Sequence, residues 1–167
     1  RGNQEDDQIL EDGIVANEIN GKVVASFAQL LIDNTTLQEL CFGGNHDVGD
    51  EVVLLFANAL AKNRTLTVLG FDPILGYDDT YTEFYRDKIT HVGWEAMRLA
   101  LCDVSSIDAT FKSNHVLQKV GGESWKHDEK LPKYLQDLLQ LNASDLDKFD
   151  VARKKILMTH FNNEHSE

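Results

Sequence analysis

Apolar positions return along the first part of the chain with a period of 29 residues. Segment 27–42 reads FAQLLIDNTTLQELCF and segment 56–71 reads FANALAKNRTLTVLGF, so that the same residues recur in register. In each copy two leucines three residues apart precede an aromatic residue, at Leu37, Leu40 and Phe42, then at Leu66, Leu69 and Phe71. This spacing predicts a short strand in each copy, with these side chains pointing into a core.

The segment between the two strands has the period of an α-helix. Its apolar residues lie within one helical arc: Val52, Val53, Leu55, Phe56, Ala59 and Leu60. One strand and one helix cannot bury both of their apolar faces, so we expect successive strand–helix units to stack. A weaker copy precedes at residues 9–17. A third junction follows at residues 113–120, where Leu117 takes the place of Leu66 after an insertion that lies mostly at 72–88.

Asparagines occupy two kinds of position in this pattern. Asn45 follows the first strand, where we expect an inward-turned amide to satisfy backbone groups as the chain leaves the strand. Asn34, Asn63 and Asn114 end the helical segments. Asparagine tolerates the left-handed conformation that stops a helix, so the sequence predicts left-handed backbone at these three residues.

The run from Leu37 to Asn45 completes the pattern L-x-x-L-x-L-x-x-N, with Phe42 at its third apolar position. With a period of 28–29 residues, the chain resembles ribonuclease-inhibitor-type leucine-rich-repeat proteins over roughly residues 9–121. Segments LCDVSSIDATFKSNH (101–115) and VARKKIL (151–157) are similar to leucine-rich-repeat proteins of microalgae, especially diatoms. The resemblance implies a short α/β solenoid with parallel strands on a concave face, helices on a convex face, and a role in binding.

The chain divides into two predicted parts. We expect residues 1–121 to form the solenoid, with the insertion at 72–88, and residues 122–167 to form a helical C-terminal cap. The first cap helix is marked by Leu131, Leu135, Leu138 and Leu139, and Asn142 ends it. Ser144 and Asp147 predict a capping pair for the last helix. The apolar face of that helix would contain Leu146, Phe149, Ala152, Ile156, Leu157 and Phe161.

Composition narrows the function classes. The 16 basic and 28 acidic residues give a net charge of −12, which repels phosphate backbones and disfavours nucleic-acid binding. No window approaches the ~20 apolar residues of a membrane span. With two cysteines only, Cys41 and Cys102, a disulfide framework is disfavoured, so we expect a reducing, intracellular location. No catalytic motif is present, and we expect no enzyme activity, cofactor or metal.

One cluster leaves an alternative open. His46, Asp47 and Asp50 lie on the turn before a helix, where Asp50 suits the positive helix end. A metal-dependent regulatory or catalytic domain centred on these residues is the rival hypothesis. A second rival is that the chain is the C-terminal part of a longer receptor-like array of repeats. Cys41 lacks a paired His and Asp motif that would make it a catalytic thiol.

The remaining candidate chemistry is a protein-binding surface. The outward strand positions are Glu39, Cys41, Val68, Gly70, Asp72 and Lys119. The insertion adds aromatic residues among acidic ones: Tyr77, Tyr81, Phe84 and Tyr85. Aromatic anchors with acidic flanks favour an interface with a basic partner. Two alternatives stay open, that the glycines only suit strand geometry and that the insertion covers an apolar edge. The main hypothesis is a protein–protein interaction module, either a scaffold or a subunit of an assembly.

Overall fold

The computed structural model describes residues 21–41, 48–70, 89–121 and 131–161. Several predictions therefore fall outside the described residues. They concern Phe42, Asn45, His46, Asp47, Phe71, Asp72 and the insertion with Tyr77, Tyr81, Phe84 and Tyr85. These remain predictions.

The described residues form a mixed α/β arrangement. In chain order its elements are α1 (Gly21–Asp33), β1 (Glu39–Cys41), α2 (Asp50–Leu60), β2 (Val68–Gly70), α3 (His91–Leu101), α4 (Ile107–Lys112), β3 (Lys119–Val120), α5 (Lys133–Asn142) and α6 (Lys148–Ile156). A π-helical turn, Leu157–Phe161, follows α6 directly.

The three strands pair in parallel as an open sheet in the order β1-β2-β3. Leu40 lies opposite Leu69, which lies opposite Val120. The two strands that the 29-residue period relates are therefore neighbours in register, as the sequence predicts. Each crossover between them contains a helix, as parallel strands require.

Helices and strands enclose one core. Helix α1 packs on α2, α2 on α3, and α3 on α5. Leu66, Leu69 and Leu117 are completely buried in this core. Leu37, the counterpart of Leu66 in the first strand–helix unit, is 38% exposed, and Leu40 is half-buried, since β1 is the edge strand of the described sheet.

The last helix differs from its sequence prediction. Asp147 alone caps α6, accepting a hydrogen bond from the Asp150 amide at 2.9 Å, while the Ser144 hydroxyl donates to the Leu141 carbonyl. The predicted apolar face is correct only in part. Ala152 is buried and Leu146 and Ile156 are half-buried, but Phe149, Leu157 and Phe161 are more than half exposed. The buried residues of α6 are Val151, Ala152 and Lys155. Helix α6 packs mainly on the short helix α4.

Candidate protein-binding surface

The sheet aligns three of the predicted surface residues in one row. Glu39 lies opposite Val68, and Val68 lies opposite Lys119. Glu39 and Lys119 are exposed and Val68 is half-buried. We call these three residues the strand row. It presents an acid, an apolar side chain and a base side by side, an arrangement that can recognise an extended polypeptide.

Next to the strand row, Cys41 and Gly70 form a second pair across β1 and β2. Cys41 is exposed, whereas Gly70 is buried. A β-carbon on Gly70 would lie 2.8 Å from the Cys41 sulfur, closer than real contacts allow. The glycine therefore makes room for the Cys41 side chain, and the thiol rather than Gly70 supplies the surface at this position.

A ladder of asparagines fixes the spacing of these strands. The Asn63 Nδ2 donates to the Leu31 and Asn34 carbonyls at 2.8 and 2.9 Å. Its Oδ1 accepts from the Thr65 and Leu66 amides. Asn63 thus shapes the turn before its own strand with its oxygen and binds the backbone of the preceding unit with its nitrogen.

The same pattern recurs at the next helix end. The Asn114 Nδ2 donates to the Leu60 and Asn63 carbonyls at 2.8 and 3.0 Å, and its Oδ1 accepts from Val116 and Leu117. Asn114 is completely buried. Buried polar groups with all partners satisfied give a structure a single register.

Asn142, at the end of α5, extends the ladder by one step. Its Nδ2 donates to the Leu117 carbonyl at 2.7 Å and, more weakly, to the Asn114 carbonyl at 3.4 Å. In the described part of the chain its Oδ1 is buried and accepts no hydrogen bond. At Asn63 and Asn114 the corresponding oxygen accepts from the turn before the next strand, and no strand follows Asn142 among the described residues.

The prediction of left-handed backbone at Asn34, Asn63 and Asn114 is wrong. Within the described part of the chain, no residue other than glycine has a positive φ. The side-chain oxygen closes the turn after each helix instead, as it does where Asn34 accepts from the Thr36 and Leu37 amides at 3.0 and 2.6 Å.

Asp50 does not cap its own helix but the next one. Its Oδ1 accepts from the Thr90 and Gly93 amides and its Oδ2 from the Thr90 hydroxyl. Burial raises the pKa of Asp50, but these hydrogen bonds together outweigh it and hold the pKa below its usual value. The carboxylate therefore ties the start of α2 to the start of α3, beside the positive end of that helix.

Replacing Gly93 by alanine tests this tie. In an unobstructed helix the change stabilises by roughly 0.5–1 kcal/mol. Here the new β-carbon would lie 2.6 Å from the Asp50 Oδ1. We expect a loss of about 2 kcal/mol in the free energy of unfolding, measured in urea, because hydrogen bonds to a charged group are broken. With Asp50→Ala already present, the loss should be much smaller, because only Ile89 at 3.1 Å and Val53 at 3.4 Å still contact the new β-carbon. A loss of equal size in both backgrounds would contradict the assignment.

Three basic side chains donate hydrogen bonds at the carboxyl ends of helices. The Arg64 guanidinium donates to the Ala61 carbonyl after α2, the Lys155 amino group to Leu101 at the end of α3, and Lys148 to Asn142 at the end of α5. Sequence reasoning missed all three roles. At Arg64 and Lys148 the positive charge is also stabilising, because helix dipoles place negative charge at these ends.

The two thiols lie in different environments. Cys41 is exposed, as its outward strand position predicts, Cys102 is buried, and both are free cysteines. Burial raises the pKa of Cys102. A thiol-specific reagent at neutral pH is therefore expected to modify Cys41 selectively.

Two further features concern only the described residues. None of their helices has both the length and the apolar character that crossing a membrane needs. They contain no group of three His, Cys, Asp or Glu residues suited to hold a metal ion, and the rival metal site cannot be assembled from them because His46 and Asp47 lie outside.

The chain was compared with protein-family models, with curated proteins and with solved structures. None of the three comparisons finds a match.

Proposed function

We propose that the protein is a short leucine-rich-repeat solenoid that binds another protein, as a scaffold or as a subunit of an assembly. The observation that carries the proposal is the strand row, in which three repeat-related positions present Glu39, Val68 and Lys119 in register. Parallel pairing at the 29-residue period and the asparagine ladder support a stack of equivalent units. Such stacks use their strand faces as extended binding surfaces.

The charge of the chain supports a partner with a basic surface, since 28 acidic residues outnumber 16 basic ones. The free thiols of Cys41 and Cys102 support a reducing, intracellular location. The tyrosine-rich insertion would extend the strand face, with Tyr77, Tyr81 and Tyr85 as anchors. The rivals, a metal-dependent domain and a piece of a longer array, have no observation in their favour here.

A photo-crosslinker attached to Cys41 tests the proposal, because that thiol lies beside the strand row while Cys102 is buried. We expect the labelled protein to crosslink a partner in a lysate of its source cells, with unlabelled protein competing. Reversing two charges of the strand row, Glu39→Arg with Lys119→Glu, should abolish the crosslink. This removes the complementarity that orients the partner.

The matched control moves the crosslinker to the outer face of the helical layer. The double variant Cys41→Ser, Glu51→Cys places the only accessible thiol on α2, where residue 51 is exposed. The proposal requires the adduct at position 41 and not at position 51. Identical adducts from both positions, or an adduct that survives the charge reversal, would rule out the strand row as the interface.

A further inference from the structure

A pocket lies among segments that are distant in sequence, near the ends of several helices. Its volume is about 410 Å³, and its lining includes Arg64, Phe111, His115, Lys148 and Phe149. We call it the cationic pocket. Arg64 follows α2, Phe111 belongs to α4, His115 precedes β3, and Lys148 and Phe149 begin α6. The fold therefore brings two cations, one imidazole and two aromatic rings together.

The two cations have no carboxylate partner among the described residues. The ion pairs found there involve Arg98, Lys112, Lys133 and Arg153. Arg64 and Lys148 instead donate to backbone carbonyls only. No Asp or Glu is present among the described residues that line this pocket, although the whole chain has a net charge of −12.

Arg64 and Lys148 use only part of their hydrogen-bonding capacity to bind these backbone carbonyls. Arg64 has five N–H donors, and three of them bind the carbonyls of Ala61, Asn63 and Lys112. Lys148 uses one of three, at the Asn142 carbonyl. Among the described residues, two donors of each side chain have no acceptor. Guanidinium and ammonium donors of this kind form their strongest hydrogen bonds with carboxylate and phosphate oxygens.

His115 supplies a third polar group, which is only 8% exposed. Its Nε2 lies 3.0 Å from the Phe111 carbonyl, so this nitrogen carries the proton and donates it. Its Nδ1 is buried and has no hydrogen-bond partner in the described part of the chain. Burial lowers the pKa of His115 to about 4, and the charges of Lys155, Arg64 and Lys148 act in the same direction. An anion between these cations would offset their field and raise that pKa.

Two aromatic rings complete the pocket. Phe111 and Phe149 meet edge to face with their centroids 5.7 Å apart. They are 43% and 58% exposed, so a considerable part of each ring remains open to contact. An exposed aromatic pair beside partly unused cations suits a group that carries both a negative charge and an apolar body.

We propose that the cationic pocket binds a carboxylate carried on an aromatic or aliphatic group, with Arg64 and Lys148 holding the anion and Phe111 and Phe149 contacting its apolar part. This site is separate from the strand row and does not depend on it. It would accept either a small carboxylic acid or an acidic side chain with an apolar neighbour, which share this chemistry.

Titration with phenylacetate, followed by NMR of the His115 ring, tests the proposal on the full chain. We expect saturable binding at millimolar concentration, a shift of the His115 ring signals, and a rise in the His115 pKa. Phenylacetamide, which has the same shape without the charge, should bind about tenfold more weakly or not at all. Equal binding of the two compounds would overturn the anion assignment, and a lack of any His115 response would overturn the site.

Two variants separate the contributions of the pocket. Lys148→Gln should weaken phenylacetate binding about tenfold, because one charge-assisted hydrogen bond is lost. Lys62→Gln, at an exposed lysine outside the pocket, should leave it unchanged. Phe149→Ala removes a mostly exposed ring and should weaken phenylacetate but not inorganic phosphate. Identical effects at Lys148 and Lys62 would contradict the proposal, as would inorganic phosphate binding as tightly as phenylacetate.

To distinguish the two sources, an acetylated Asp-Phe dipeptide amide is compared with phenylacetate. Tighter binding of the peptide assigns the pocket to an acidic protein segment, and tighter binding of phenylacetate assigns it to a small acid. Either result supports the proposal, whereas binding of neither overturns it. The crosslinking at Cys41 is unaffected by these outcomes, so failure of this site and failure of the strand row are distinguishable.

Discussion

Replacing Asn114 by alanine is expected to lower the free energy of unfolding by about 4 kcal/mol. The side chain makes four hydrogen bonds, two as donor to the Leu60 and Asn63 carbonyls and two as acceptor. Alanine leaves the Leu60 carbonyl and the Val116 and Leu117 amides without this partner, while the Asn63 carbonyl keeps its hydrogen bond from Arg64. The groups around this completely buried residue have little access to water. Because domains of this kind are stable by only about 5–15 kcal/mol, this is a large share.

Urea unfolding measures the loss, and Asn34→Ala is the matched control. Asn34 holds an equivalent position, but it is half-buried, and among the described residues its side chain makes only the two hydrogen bonds that it accepts from Thr36 and Leu37. We expect that control to cost about 1 kcal/mol. Asn114→Asp keeps the acceptor oxygen but turns a negative charge toward two carbonyls, so it should be as harmful as alanine. Equal, small losses at both asparagines would show that the ladder does not hold the units together.

Hydrogen exchange locates the damage. In Asn114→Ala the amides of Val116 and Leu117 lose their acceptor, so their protection should fall more than that of Thr65 and Leu66, which are bound by Asn63. A uniform fall across both turns would indicate global destabilisation instead.

The asparagines show how far sequence reasoning reaches in this chain. The 29-residue period predicts the strands, their neighbours and their register, because apolar spacing alone determines which residues share a face. The period also marks Asn34 and Asn63 as equivalent. It does not reveal what they do. Asparagine is favoured both where a residue in the left-handed conformation ends a helix and where a side-chain oxygen accepts hydrogen bonds that close a turn. Deciding between them requires the position of the preceding unit's carbonyls, which only tertiary structure provides.

The two candidate sites also differ in whether the sequence predicts them. The strand row is predictable, because Glu39 and Val68 are 29 residues apart and Lys119 follows from the third junction. The cationic pocket is not predictable, because Arg64, His115 and Lys148 come from three separate segments whose packing no periodicity encodes. Likewise Lys155 directly follows Arg153 and Lys154, and a run of basic residues is typical of an exposed helix surface. In the structure it is buried instead, where it donates to the Leu101 and Asn114 carbonyls, which are far away in sequence.

Lys155 leads to the second large expected effect, an increase of stability with pH. Lys155 is completely buried, and its amino group donates to the Leu101 and Asn114 carbonyls at 2.7 and 2.9 Å. No carboxylate is among its hydrogen-bond partners in the described residues. Burial is the main cause that lowers its pKa from 10.5 to about 7. A neutral amine keeps two N–H donors, which match the two carbonyls. The folded protein therefore releases this proton at a lower pH than the unfolded chain does.

The sign follows from proton binding. Between pH 7 and 10.5 the unfolded chain holds a proton on Lys155 that the folded protein has lost, so the free energy of unfolding increases with pH in this window. From pH 7 to 9 the increase should be about 2–3 kcal/mol. Two nearby titrating groups change the free energy of unfolding little between pH 7 and 9. The pKa of His115 is lowered from 6.5 to about 4, so its titration lies below this range. The pKa of Cys102 is raised above 9.0, so the decrease in stability that its titration causes begins only near pH 9.

Urea unfolding at pH 7, 8 and 9 tests this for the wild type, Lys155→Met and Lys154→Met. Methionine at position 155 removes the titrating group, so the increase between pH 7 and 9 should disappear from that variant. Lys154 is the exposed neighbour on the same helix, and its replacement should preserve the full increase. If Lys155→Met retains the wild-type slope, Lys155 is protonated in the folded protein throughout this range. The Leu101 carbonyl at the end of α3 and the Asn114 carbonyl after α4 would then be held by a buried positive charge, whose desolvation lowers the free energy of unfolding.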